Sequence, residues 1–202
     1  MDNKTVILSE TADYLVCLKP VGLDSEHKLP ARLSAECGCT VLPVHRLDLN
    51  VGGVMVYAKS REAAAKFTRL IVSGRLEKEY VARCLGCPPP EGEMRDLLFR
   101  DSRMNKVFVV KRQRAGVKEA VLSYRVLIPG EDTSLVRIRL CTGRSHQIRV
   151  QFASRGFPLA GDHKYGARDA AAAPMLYSCR IAFPWKGKKL SFESLPDWAE
   201  GL

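Results

Sequence analysis

Runs that alternate apolar and polar residues over stretches too short for a helix recur throughout this chain, and they restrict it to folds built around a sheet. "TVILSETADYLVCLKPVGL" holds two such runs before Pro20 and Gly22 break them, which reads as strand, strand, loop. In "GGVMVYAK", Val54 and Val56 alternate with Met55 and Tyr57, the pattern of a buried strand. Further strands are expected at "EKEYVARCLG", "KVFVVKR", "AVLSYRVLI", "SLVRIRL", "MLYSCRIAF" and "KLSFESL". Helical spacing is rarer. Ser60 is placed to cap a helix whose Ala63, Phe67, Leu70 and Ile71 share one face until Gly74 stops it. A second helix is expected in "TGRSHQIRVQFASRG", with Thr142 or Ser145 as cap, Ile148 and Phe152 on one face, and Gly156 with Pro158 closing it. Residues 24–40 show no clear period and read as a loop or short helix, and residues 91–114 are rich in charge around one strand. Many strands with few helices imply an α+β fold with a mixed, largely antiparallel central sheet and flanking helices. A chain of 202 residues suffices for one sizeable core, so residues 1–202 are expected to form a single domain, with two lobes sharing a sheet as the other arrangement that fits.

With 32 Lys and Arg against 22 Asp and Glu, the formal charge is +10, and the field of the molecule attracts polyanions, nucleic acid first among them. No stretch approaches the ~20 apolar residues of a membrane span, and "MDNKTVILSE" lacks the basic start and apolar run of a signal peptide. A soluble, cytoplasmic protein without membrane contact is expected. Seven cysteines, an odd number scattered through the chain, argue for free thiols in a reducing compartment rather than a disulfide framework. Cys37 and Cys39 with Cys84 and Cys87 form two short-spaced pairs that a tetrahedral zinc could use, but "CGC" is tighter than the usual gap and no metal is expected. There is no phosphate-binding P-loop, no dinucleotide fingerprint and no paired histidines at helical spacing, so no cofactor is expected. Ser145 beside His146 lacks the strained elbow of a serine nucleophile. Gly52 and Gly53 read as a bulge or a close backbone approach.

The chemistry concentrates in "PVHRLDLNVGGVMVYAKS", where His45, Arg46 and Asp48 stand at the mouth of the buried strand. Asp is a common turn residue, bonding its own backbone. A carboxylate can also attack an electron-poor sugar carbon, provided that it stays ionised and fixed in direction. A guanidinium does both, lowering the carboxyl pKa and clamping it in a fork of hydrogen bonds. Arg144, at a helix start beside Gly143 and His146, is the kind of residue that supplies this from far along the chain.

"HRLDLNVGGVMVYAK", "KEYVARCLG" and "TGRSHQIRVQFASRGFPLAGDHKYG" resemble, in order, the three signatures of RluA-type pseudouridine synthases. "LKPVGL" near the start and "LYSCRIAFPWKGKKLSFESLPDW" near the end are similar to that family's flanking segments. The resemblance implies the pseudouridine synthase fold, with an active-site cleft, and isomerisation of a uridine inside ribosomal or transfer RNA. On that mapping Asp48 is the nucleophile or base at the ribose, Arg144 its ion-pair partner, and Tyr80 stacks on the uracil and relays a proton. Arg46 fills the gap left by the flipped nucleotide, and Leu176 packs in the pocket. Tyr80, as a strand residue, also reads as ordinary core. Extruding a stacked base costs roughly a few kcal/mol, and a cation that stacks in the vacancy offsets part of that.

His45, Lys19, Lys59, Lys78, Arg149, Arg155 and Lys164 complete the expected RNA contacts, the basic residues as phosphate contacts that position without reading sequence. Val51 and Gly52 stand where the family has Thr-Ser, and Tyr177 and Ser178 where it has His-Ala, which bears on the support of the site and on substrate preference. With 18 residues before Lys19, the ribosomal-protein-like RNA-binding module frequent in the family is not expected, and substrate choice is expected to fall to the catalytic domain and its loops. A monomer acting on an RNA stem-loop without an obligate protein partner is expected. Two other readings compete. One is an RNA-binding protein that keeps the fold without catalysis, motivated by the altered residues beside Asp48. The other is a glycoside or nucleoside hydrolase, which needs a second carboxylate, and Asp162 is the nearest candidate.

Overall fold

The computed structural model describes residues 5–199. They divide into two compact units, one made of residues 5–78 and 177–199 and the other of residues 79–176. In chain order the first contains β1 (Val6–Glu10), β2 (Tyr14–Lys19), α1 (Lys28–Cys37), the two-residue β3 (Leu42–Pro43), β4 (Gly52–Ala58) and α2 (Arg61–Val72). The chain then runs along β5 (Glu77–Leu85) into the second unit, which holds β6 (Glu91–Asp101), β7 (Lys106–Val110), β8 (Val117–Ile128), β9 (Thr133–Leu140) and α3 (Gln147–Ala153). Finally β10 (Leu176–Trp185) and β11 (Lys188–Glu193) return it to the first. The expectation of an α+β fold with a mixed, largely antiparallel sheet is met. Among the described residues no helix is long and apolar enough to cross a membrane.

In the first unit β1, β2 and β4 lie side by side, antiparallel. The other edge of β4 is shared. β3 pairs with its end through Leu42 and Pro43, and β10 runs parallel to its start through Tyr177 opposite Gly52 and Ser178 opposite Gly53. The polar groups of β4 between those two ladders need partners, because a buried unpaired amide or carbonyl costs about as much as a lost hydrogen bond. Side chains provide them: Ser178 Oγ donates to the Val54 carbonyl at 3.0 Å, and His45 Nε2 accepts the Val56 N–H at 3.2 Å. Helix α2 forms as its pattern predicts. Ser60 Oγ accepts the Ala63 N–H, and Gly74 ends the helix with φ +67°. Its buried face sets Phe67 against Tyr14, Phe183 and Trp185, with Phe67 stacked on Trp185 at 4.6 Å between centroids. The aperiodic segment 24–40 contains α1, which ends at Gly38 with φ +65°.

The second unit is an antiparallel sheet in the order β5, β9, β8, β6, β7. β6 is an eleven-residue strand where the sequence reads only as charge-rich chain. Glu91, Glu93, Arg95 and Asp96 obscure its pattern, and of the strand only Met94 and Leu98 are buried. Helix α3 differs from its expected capping. Neither Thr142 nor Ser145 is the cap; the position falls on His146, in the left-handed region at φ +50°, with no side-chain capping bond. Residues 147–152 are all buried, polar ones included, so α3 is a core helix without a solvent face. Phe152 meets Tyr124, and Gln151 Nε2 donates to the Met94 and Ala120 carbonyls and to Asp96.

Gly53 is required where it stands. Its φ is +123°, and a Cβ there would lie 2.3 Å from the Ser178 carbonyl oxygen and 2.6 Å from the Ser178 nitrogen, both backbone atoms of β10. The close backbone approach read from the sequence is therefore the crossing of β10. Gly53→Ala is expected to cost about 2 kcal/mol or more, read as a lower midpoint in denaturant unfolding; an unchanged midpoint contradicts the close crossing.

Candidate active site

Asp48 opens a turn closed by the Val51 N–H on the Asp48 carbonyl at 3.0 Å. The backbone on both sides of it is held. Ser25 Oγ donates to the Leu47 carbonyl at 2.9 Å and accepts the Leu47 N–H at 3.1 Å, and Tyr57 fixes Ser25 in turn by donating to its carbonyl at 2.9 Å. On the far side the Leu49 carbonyl accepts two donors, the Gly22 N–H at 2.9 Å and Lys19 Nζ at 3.2 Å. Lys19 is only 2% exposed, and its ammonium also donates to the Pro20 carbonyl at 2.9 Å. Burial pushes its pKa down to about 8, opposed by the nearby carboxylates of Asp24 and Asp48. Arg46 is exposed and pairs with Glu26 at 2.9 Å. His45 is turned inward rather than toward solvent. Burial, with the Lys78 charge adding, holds its imidazole down to about 3, so the ring stays neutral and its Nε2 is free to accept from Val56.

The second unit builds a comparable support under Arg144. Gln147, buried at the start of α3, folds its amide back over the preceding turn. Its Oε1 accepts the Arg144 N–H at 3.0 Å and the Thr142 hydroxyl at 2.8 Å, and its Nε2 donates to the Val121 carbonyl at 3.1 Å. Thr142 Oγ1 accepts the Val121 N–H at 2.9 Å, which locks the turn to β8. The Arg144 side chain is exposed and its Nε donates to the Glu119 carbonyl at 2.9 Å. Tyr80 is buried in β5 opposite Ile138, and Leu176 is buried at the start of β10.

These turns carry the sequence signatures. A family model for RNA pseudouridylate synthases matches residues 13–154, a span that includes Asp48, Tyr80 and Arg144. The chain belongs to this family. Within it the resemblance is to the RluA type. The dual-specificity RNA pseudouridine synthase RluA of Escherichia coli K12 is 31% identical over 209 residues, covering 96% of this chain and 94% of that protein. The ribosomal large subunit pseudouridine synthase D of Zymomonas mobilis is 35% identical over 164 residues, covering 75% of this chain, and the chain spans about half, 51%, of that relative's length. In fold it is similar to human RNA Pseudouridylate Synthase Domain Containing 1, with a TM-score of 0.83 at 23% identity, covering 96% of this chain and 84% of that one.

Two of the residues expected to differ from the family pattern, Gly52 and Tyr177, meet one another. Gly52 and Tyr177 are partners across β4 and β10, and a Cβ on Gly52 would sit 3.4 Å from the Tyr177 ring and 3.2 Å from the Lys19 carbonyl oxygen. Ser178 supplies the hydroxyl for the Val54 carbonyl. Gly52 and Tyr177 therefore fit one another across the two strands.

Of the expected phosphate contacts, several are instead engaged within the fold. Lys19 and His45 hold backbone as described, and burial also lowers the Lys78 pKa. Arg149 grips Asp162 through two bonds of 2.7 and 2.8 Å, with its side chain 9% exposed and that of Asp162 1%. That engagement also corrects Asp162 as a hydrolase carboxylate, since it is buried in a forked ion pair. Arg155 pairs with Asp96, Lys59 with Glu10, and Lys164 Nζ donates to the Asn105 carbonyl, all at the surface. Among the described residues no three His, Cys, Asp or Glu side chains gather as a metal site.

Lys19 gives a measurable signature. The unfolded chain keeps its Lys19 proton to about 10.5, while the folded protein releases it at about 8, so stability attributable to this residue rises with pH between those values. Relative to Lys19→Met, the wild type should gain roughly 3 kcal/mol over that window in denaturant unfolding, with a flat difference below it. Parallel curves throughout contradict a buried ammonium.

Proposed function

We propose that this chain isomerises a uridine within a folded ribosomal or transfer RNA to pseudouridine. Asp48 acts as nucleophile or base at the ribose of a uridine swung out of its stem, Arg144 pairs with it and keeps it ionised, and Tyr80 stacks on the uracil and relays a proton. In the reaction the C1′–N1 bond breaks, the uracil turns, C1′ bonds to C5, and the C5 proton leaves while N1 regains one. No net oxidation occurs, so the isomerisation needs no redox cofactor. Arg46 occupies the vacancy in the stem, exchanging Glu26 for the RNA. Leu176 packs on the uracil pocket. The protein works as a cytoplasmic monomer without an obligate partner.

The observation that carries this reading is that a family match running through Asp48, Tyr80 and Arg144 coincides with turns whose backbone is held by buried side chains on either side of the reactive residue. Such preorganisation is what a fixed nucleophile requires. The name of the Zymomonas relative puts that protein's substrate in the large ribosomal subunit.

Asp48→Asn tests it. Pseudouridine formation, mapped across cellular RNA with the variant in place of the wild type, should fall at least ~10³-fold, with RNA affinity retained. Unchanged conversion contradicts the assignment of Asp48, and a wild type that binds RNA without converting any uridine favours the RNA-binding alternative.

A further inference from the structure

The expected phosphate contacts leave the largest local charge of the chain unassigned. Residues 100–118 hold seven cations, Arg100, Arg103, Lys106, Lys111, Arg112, Arg114 and Lys118, against one anion, Asp101, and so carry +6 of the net +10. They form the end of the β6–β7 hairpin and the loop that leads into β8. A charge run is commonly a solvated face, interspersed with carboxylates that pair with it. Among the described residues elsewhere, Arg32, Arg46, Lys59, Arg95 and Lys186 are examples of cations that do pair with carboxylates. Among the described residues none of these seven has a carboxylate partner, and the Asp101 carboxylate is taken by the Arg103 and Met104 N–H groups. All but Lys106 are exposed.

The segment is also built onto the second unit at fixed points. The Tyr165 hydroxyl accepts the Val107 N–H at 2.9 Å and meets His146 Nδ1 at 2.8 Å, and His146 lies two residues beyond Arg144. Lys164 Nζ donates to the Asn105 carbonyl at the hairpin tip. Lys106 lies over the Tyr165 ring and Arg114 over the Phe99 ring at 4.6 Å. The turn that carries Lys164 and Tyr165 is itself anchored by the Asp162–Arg149 pair. A charged arm pinned to the turn of Arg144 presents its cations in a defined place, which a freely solvated loop does not. By contrast, the open groove on the sheet of this unit sets Glu79, Glu91 and Glu93 against Arg125, Arg137 and Arg139, and so has no net charge to draw an anion.

We propose that the β6–β7 hairpin and the loop after it form a docking arm for the phosphodiester backbone of the substrate RNA beyond the target nucleotide. The inference rests on the proposed action on RNA. The arm contributes affinity and position, leaving the chemical step to the residues already named.

The test compares the wild type with the triple variant Arg103→Gln, Lys111→Gln, Arg112→Gln and with a control that loses as much charge from the other unit, Arg61→Gln, Arg69→Gln, Arg75→Gln. The probe is an RNA that the wild type converts, selected from total ribosomal and transfer RNA. The arm variant should raise KM about 10- to 100-fold near 0.15 M salt and reduce the slope of log affinity against log salt by about 2 to 3. Its kcat at saturating RNA should stay within about twofold, with an unchanged thermal midpoint, and the control should move KM less than about threefold. Equal weakening by both variants, or none by the arm variant, overturns the arm while leaving the isomerase reading intact. A wild type that binds none of these RNAs overturns both.

Discussion

A loop holds one geometry only if its backbone polar groups have rigid partners, and at the turn of Asp48 buried polar side chains provide them. Lys19 shows the constraint most clearly. Its ammonium sits under the turn that begins at Asp48 and holds the carbonyl of Leu49, at the cost of a pKa depressed to about 8. Such a group persists in a core only where something needs it, because an uncompensated buried charge is among the more destabilising features a fold can carry. Ser25 completes the same task from the other side of the turn by holding both backbone groups of Leu47, while His45 serves the Val56 N–H of β4.

Unit two reaches the same end with different chemistry. The Gln147 amide joins Thr142, Arg144 and Val121, and so ties the turn that precedes α3 to β8. Arg149 and Asp162 neutralise one another within hydrogen-bond reach and anchor the segment that carries Tyr165. Polar residues buried in a short core helix are therefore the frame around an exposed Arg144. In the proposed chemistry that frame serves to hold a guanidinium in direction, while the turn of Asp48 holds the carboxylate.

Much of this was legible in the residues. The strands, the Ser60 cap and the helix face of Phe67 follow from period and capping, because those signals are local. Gly52 and Gly53 read equally as a bulge or a close approach, and the strand that makes the approach lies more than a hundred residues away and could not be named from local pattern. β6 was hidden by its own charges. The direction of basic side chains was the least legible feature: Lys19, Lys78 and Arg149 have the same composition signal as surface lysines and arginines, and only packing separates an inward cation from an outward one. Counting charge per segment rather than around each motif would have drawn attention to residues 100–118.

In the proposed function the turns of Asp48 and Arg144 serve the exchange of a carbon–nitrogen for a carbon–carbon glycosidic bond. The most direct measurement uses RNA carrying tritium at C5 of uridine, since that position loses its hydrogen when it bonds to C1′. Purified protein should release tritium to water in proportion to the pseudouridine formed, with no free uracil. Retention of the label, or release of uracil in its place, contradicts the claim.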